Sequence, residues 1–377
     1  MVRSALVSAS FRPEDSTRSA QSSNALSPGN RSRHTHPMSA IGVLTAGGDC
    51  PGLNAAIRGV VTRVTAEGRP VIGIEEGWQG LMGGRTRPMT RDDVRGVLGR
   101  GGTILGTSRR DPYVHGDGFA SIRETLERLD IETVIVIGGD GSLRTAAQLH
   151  SEGLPVVGVP KTIDNDIGYT DVSLGFHTAV QIVVDAIDRL TTTAESHNRV
   201  MVVEVMGRTA GWIAVAGGLA GGAEAILVPE VEVDFEDLAQ RIKARHTRGH
   251  DYSLVVVAEG TPGPYGNVSS SGVDQYGFSR IGGVCQIVAL EIERLTGFEA
   301  RPVILGYLQR GGSPSAFDRI LGTRFGVRAG ELAMQGETGV MVALRGDEIT
   351  TIDLATATAE PRDLDTKRFD EASWFFA

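Results

Sequence analysis

The chain has 377 residues, 41% hydrophobic and 22% charged, with a formal net charge of −9, which fits a globular protein of two or three domains and argues against nucleic acid as the main partner. Its two cysteines, Cys50 and Cys285, exclude a disulfide framework and suit a reducing, cytoplasmic setting. No apolar stretch approaches the ~18 residues of a membrane-spanning helix.

Residues 1–38 are rich in Ser, Arg, Asn and Pro and show no helical or strand periodicity. They lack the apolar core of a signal peptide and read as a disordered tail. Met38 stands three residues before the first apolar run, so an over-extended start is one reading of this segment. From residue 40 strands and helices alternate. Apolar runs at 41–44, 71–74, 133–137, 156–159, 200–205, 254–258 and 303–305 read as strands. Helical spacing marks 54–67, 143–150, 177–194 and 283–296, the third with Val180, Val183, Val184, Ile187 and Leu190 on one face. Strands that are apolar throughout belong in a parallel sheet covered on both sides. The pattern predicts an α/β fold of two doubly wound lobes with mainly parallel sheets, the long helix after Gly175 crossing between them.

Glycine makes up 50 residues, well above the usual ~7%, and the excess gathers in turns after apolar runs. Three of these turns carry candidate chemistry. Gly47–Gly48–Asp49 precedes a helix, where backbone could close on a phosphate or simply make a tight turn. Gly138–Gly139–Asp140–Gly141–Ser142 offers an aspartate that could cap the helix or serve as a ligand; capping by Ser142 would leave Asp140 for a cation. Lys161–Thr162–Ile163–Asp164–Asn165–Asp166 places two carboxylates beside a lysine and a hydroxyl. An Asx-turn would explain the carboxylates without chemistry, yet a base that takes a proton from an attacking hydroxyl needs this company. Arg109, Arg199, Arg208, Arg301 and Arg310 all fall near run ends or glycine-rich turns, as phosphate ligands would. No GxxxxGK[ST] or GxGxxG sequence occurs, and the histidines show no zinc spacing.

Taken in order, Gly-Gly-Asp-x-Pro-Gly-x-Asn (47–54), Gly-Gly-Asp-Gly-Ser (138–142), Thr-Ile-Asp-Asn-Asp (162–166), Glu-Val-Met-Gly-Arg (204–208), Ala-Glu-Gly (258–260) and Gln-Arg-Gly-Gly-Ser-Pro (309–314) resemble the bacterial-type 6-phosphofructokinases. The resemblance runs from about residue 41 to 328. It implies transfer of a phosphoryl group to the 1-hydroxyl of fructose 6-phosphate. It also implies a larger donor-binding lobe at 39–174, regained at about 309–345, a smaller sugar-phosphate lobe at 175–308, and a C-terminal segment at 346–377. Carried over, Asp164 is the base, and Thr162 and Arg208 steady the transferring group. Asp140 and Asp166 hold Mg²⁺. Gly48, Arg109, Gly139, Asp140, Gly141, Ser142 and Lys161 line the donor side. Ile163, Met206, Gly207, Glu259, Tyr307 and Arg310 join the acceptor side, with Arg199 and Arg301 supplied by a neighbouring subunit of a homodimer or homotetramer.

Three features depart from the commonest pattern. Pyrophosphate-using members carry Asp where this chain has Gly141 and Lys where it has Lys161; ATP-using members carry Gly at both. Because a repulsive group is what enforces rejection, Gly141 points to ATP. Tyr307 replaces a histidine and keeps a hydrogen-bond donor without a charge. Thr62 and Thr191 stand where regulated members have effector-site arginines, which predicts weak sensitivity to ADP and phosphoenolpyruvate.

Overall fold

The computed structural model describes residues 39–114, 118–264, 266 and 282–376; the reading of 1–38 as a tail lies outside them. The strand β1 (Ala40–Ala46) leads to α1 (Leu53–Ala66), β2 (Val71–Ile74), α2 (Gly77–Met82) and β3 (Thr86–Met89). Then come α3 (Gly118–Arg128), β4 (Ile131–Gly138), α4 (Asp140–Ser151), β5 (Val156–Thr162) and the two-residue β6 (Leu174–Gly175). The helix α5 (Phe176–His197) carries the chain to β7 (Val200–Val205), α6 (Trp212–Ala220), β8 (Ala225–Leu227), α7 (Phe235–Thr247), β9 (Ser253–Ala258), α8 (Val284–Thr296) and β10 (Ala300–Ile304). A 3₁₀ turn at Gly306–Arg310 precedes α9 (Ala316–Gln335), β11 (Val340–Arg345), β12 (Glu348–Asp353), α10 (Leu354–Ala357) and α11 (Thr366–Ser373).

Among the described residues one sheet has eight strands, in the order β12-β11-β5-β4-β1-β2-β3 with β6 pairing β5, and a second has four, in the order β10-β7-β9-β8. All strands of the eight-stranded sheet are parallel except the edge strands β3 and β12. The second sheet is parallel throughout. The central strands β1, β7 and β9 are buried at every position, as expected of strands with helices on both faces. In the large sheet β2 lies to one side of β1 and β4 to the other, so the direction of winding reverses between β1 and β4. Ligands bind outside the carboxyl ends of strands at such a reversal. The turns 47–49 and 138–142 both lie there, and the turn after β5 is one strand away.

Periodicity does not announce α9. Its Gly322, Gly326 and Gly330 face α1 so closely that a Cβ on Gly326 would come within 2.1 Å of the Ala56 carbonyl oxygen, and one on Gly59 within 2.6 Å of the Thr323 oxygen. Backbones in such contact need glycine at the crossing, which removes the apolar side chains that mark a helix in sequence. The strand β12 lies within 346–377 and completes the edge of the large sheet.

Candidate active site

The helix α4 begins at Asp140, and its N-cap is Gly139, with no side-chain capping bond. Neither Asp140 nor Ser142 therefore caps, contrary to both capping options drawn from sequence, and the ligand option for Asp140 stands. Asp140 is the first helical residue and pairs with Arg144 one turn on, at 2.7 Å. That pair is solvent-exposed and weak. A Cβ on Gly141 would meet nothing within 4 Å, so packing does not require glycine there.

Lys161 lies at the end of β5, only 3% exposed, and donates to the Gly48 carbonyl. A Cβ on Gly47 would lie 3.6 Å from its Nζ, and one on Gly139 4.0 Å from it. Both glycine turns thus close around one ammonium. Burial lowers its pKa to about 8, and Arg310 and Arg109 push the same way. Arg109 is carried by a segment stitched to the first turn: the Gly47 amide donates to Ser108 O at 2.9 Å, and Thr107 Oγ1 donates to Gly47 O at 2.7 Å.

After β5, Asn165 takes a left-handed φ of 53°, which Asn tolerates better than most residues. Its Oδ1 accepts the Ser173 amide at 2.9 Å, and Ser173 Oγ donates to Thr162 O at 2.7 Å. Asn165 is buried, whereas its two acidic neighbours are partly exposed. The Asp164 amide donates to Thr162 Oγ1 at 3.1 Å. Asp164 Oδ1 and Asp166 Oδ1 are both buried without a hydrogen-bond partner. Burial raises the pKa of Asp164 against the opposing charges of Arg310, Lys161 and Arg208. Burial, then repulsion from Asp164 and Asp140, pushes Asp166 up to about 6. Orphaned carboxylate oxygens with mutual repulsion suit a hard cation. Among the described residues no three His, Cys, Asp or Glu side chains form a metal cage. Mg²⁺ shared between one or two carboxylates, waters and substrate phosphates needs none; the orphaned Asp166 fits it, whereas Asp140 is held by Arg144.

From the second sheet, Met206, Gly207 and Arg208 follow β7 and Glu259 follows β9. Gly207 has φ 140°, and a Cβ on Gly260 would come within 1.9 Å of Arg208 O, so the two turns interlock. Burial, then repulsion from Asp164 and Glu204, raises Glu259 to about 7, while Arg208 and Arg310 oppose it. Arg310 Nη1 donates to Asp49 O at 3.2 Å. One region therefore brings together Asp164, Arg208, Glu259, Arg310 and Lys161 from both sheets.

Other expected residues fall elsewhere. Ile163 is fully buried in the core, so only its backbone can line a site. Arg199 and Arg301 lie at the amino ends of β7 and β10, where Arg301 opposes Met201. Six residues of strand, about 20 Å, separate them from Arg208. Arg199 pairs with Glu299 at 2.7 Å, and Arg301 also pairs with Glu299. Within one chain they do not join the cluster, and Tyr307 is 78% exposed. Sequence reasoning gave no role to three buried supports, two of them inside its own motifs. Glu204 accepts the Gly283 amide at 2.9 Å and the Cys285 amide at 3.0 Å at the start of α8. Gln309 Oε1 accepts the Met206 amide at 3.2 Å. Asp318 accepts the Gly175 amide at 2.9 Å and the Thr178 amide at 2.8 Å at the start of α5. A lone charge inside the apolar run 200–205 was the available signal for Glu204.

A doubly wound α/β fold with glycine turns, acids and cations gathered at its switch point has the layout of a phosphotransferase. The family model described as Phosphofructokinase matches residues 40–333. The chain is 49% identical to ATP-dependent 6-phosphofructokinase 3 of Streptomyces coelicolor, over 88% of this chain and 98% of that protein. It is also 49% identical to the pyrophosphate–fructose 6-phosphate 1-phosphotransferase of Amycolatopsis methanolica, over 89% and 99%. The solved structure of Pichia pastoris phosphofructokinase in the T-state aligns with a TM-score of 0.75 at 31% identity, over 85% of this chain. The alignment spans 35% of that longer yeast chain. The chain belongs to the phosphofructokinase family. Equal identity to relatives named for different donors leaves the donor to the site itself.

Proposed function

We propose that the protein transfers the γ-phosphoryl group of ATP to the 1-hydroxyl of fructose 6-phosphate, forming fructose 1,6-bisphosphate and ADP. The observation that carries this reading is Asp164, a half-buried carboxylate with one buried, unpartnered oxygen, set among Arg310, Lys161 and Arg208. Asp164 takes the proton of the 1-hydroxyl as that oxygen bonds to the γ-phosphorus and the bond to the β-phosphate oxygen breaks. Arg208 and Thr162 steady the transferring group; catalysis of this kind is mainly positioning and charge stabilisation. Asp140 and Asp166 hold Mg²⁺, which when bound neutralises phosphate charge. Met206, Gly207, Glu259 and Arg310 receive the sugar phosphate. Arg199, Arg301 and the exposed Tyr307 complete the site across a subunit interface in a homodimer or homotetramer, within the cytoplasm. The open space at Gly141 supports ATP, because an aspartate there would project where the α-phosphate passes.

The runner-up is pyrophosphate as donor, favoured by one observation: Lys161 is buried between the two glycine turns, a compact charge suited to a small polyanion. A coupled assay for fructose 1,6-bisphosphate with Mg²⁺ and fructose 6-phosphate separates the two. Turnover with ATP and none with pyrophosphate is expected; turnover with pyrophosphate alone would overturn the donor assignment. Turnover of sedoheptulose 7-phosphate in place of fructose 6-phosphate would overturn the acceptor.

A further inference from the structure

Beyond the last residue matched by the family model, the chain returns to the acidic loop. Pro361 forms an antiparallel bridge with Ile167, and the Arg362 amide donates to Asp166 O at 2.8 Å. The Arg362 guanidinium donates through Nη1 to Thr170 O at 2.9 Å and to Asp171 O at 2.8 Å. Asp171 O also receives Asn165 Nδ2 at 3.4 Å, and Asn165 is the residue that separates Asp164 from Asp166.

The same arginine holds the other sheet. Its guanidinium carbon lies 4.3 Å from the ring centre of Trp212, and Trp212 Nε1 donates to the Arg362 carbonyl at 3.3 Å. Trp212 is 3% exposed and opens α6, four residues after Arg208. A planar guanidinium can donate in its plane while its face lies on an indole, which an ammonium cannot do. One side chain therefore grips the loop of Asp164 and Asp166 and the root of the loop of Arg208.

We infer that Arg362 is a positioning residue, a brace that keeps the Asp164–Asp166 loop in register with the Arg208 loop across the two sheets. Its kinetic consequence rests on the proposed phosphoryl transfer, since Asp164 must reach the acceptor hydroxyl while Arg208 steadies the phosphoryl group that hydroxyl attacks. Misplacement by about 1 Å at such a site can cost about a hundredfold in rate.

The test compares full-length wild type, Arg362→Ala and Arg362→Lys by steady-state kinetics with the donor the wild type uses. Hydrogen exchange of the substrate-free proteins over 163–173 and 206–213 runs in parallel. Arg362→Ala is expected to lower kcat about 10- to 100-fold per folded molecule with both KM values within about threefold, and to speed exchange in both loops. Millimolar guanidinium ion should restore part of that kcat saturably, which it would not do for a merely destabilised protein. Arg362→Lys should fall between. Wild-type kcat, or faster exchange in one loop only, would overturn the brace. If Arg362→Ala does not fold, Arg362→Lys decides: wild-type kcat and exchange there overturn it. If the wild type uses neither donor, the functional reading fails while exchange still tests the brace.

Discussion

Lys161 donates to the backbone carbonyl of Gly48, tying the end of β5 to the turn after β1. The bond places a buried cation between the two glycine turns expected to receive the donor's phosphates. Because burial lowers its pKa to about 8, the ammonium form fades as pH rises above that value. KM for the phosphoryl donor is therefore expected to climb severalfold between about pH 8 and 9.5. Lys161→Met should raise KM at pH 7 and flatten that climb. An identical pH profile in the variant would remove Lys161 from donor binding.

Gly141 separates activity from stability. It sits in the first turn of α4 with nothing near its missing Cβ. Aspartate there gains about 0.3 kcal/mol in helix propensity and about 0.3–1 kcal/mol at the positive end of the helix. Gly141→Asp is expected to leave Tm unchanged or higher while lowering kcat/KM for ATP at least about a hundredfold, a loss of about 2.7 kcal/mol in transition-state binding. Full ATP turnover by a folded variant would show that this position does not set the donor.

Asp164→Asn is expected to lower kcat by about 10²–10⁴, the usual worth of a positioned base, while both substrates still bind. Arg301 lies at the other end of its own sheet from Arg208, so an Arg301→Ser subunit should fail through its neighbour's site. Mixing and reassembling the two inactive variants should restore about a quarter of wild-type sites, because each hybrid pair holds one intact site. No recovery in a confirmed hybrid would place Arg301 outside a shared site.

Glu259 predicts a pH dependence of stability. Its pKa rises from 4.5 to about 7 on folding, with burial the largest cause. Between those values the native state binds a proton that the unfolded chain does not, so stability falls as pH rises from 4.5 to 7 and the full penalty stands above 7. Asp166, pushed up to about 6, acts in the same direction below that value. His177 and His246, whose pKa burial lowers, act oppositely below about pH 6.5. The ligand-free protein should thus gain a few degrees in Tm between pH 7.5 and 6.5, and Glu259→Gln should lose most of that gain. A wild-type slope in Glu259→Gln would assign the effect elsewhere.

Much of this protein was legible residue by residue. The largely apolar runs at 41–44, 133–137, 156–159 and 200–205 read as strands with cover on both faces, because they leave almost no polar side for water. The turns that follow them had to fall at strand ends, and their glycines and aspartates announced phosphate chemistry before any contact was known. Local sequence could not reveal α9, since its glycines are chosen for the nearness of α1, a neighbour more than 250 residues away in the chain. Nor could it place Asp140 as the first helical residue, because the cap is a backbone geometry at Gly139. The raised pKa values of Asp164 and Glu259 arise from burial and from charges brought in by other strands, and Arg362 is an ordinary surface-like arginine until the chain folds back onto Ile167. Short-range pattern determined which residues were candidates for chemistry. Only the tertiary structure decided which of them share one low-dielectric space, because burial and Coulomb interaction depend on distance in space and not along the chain.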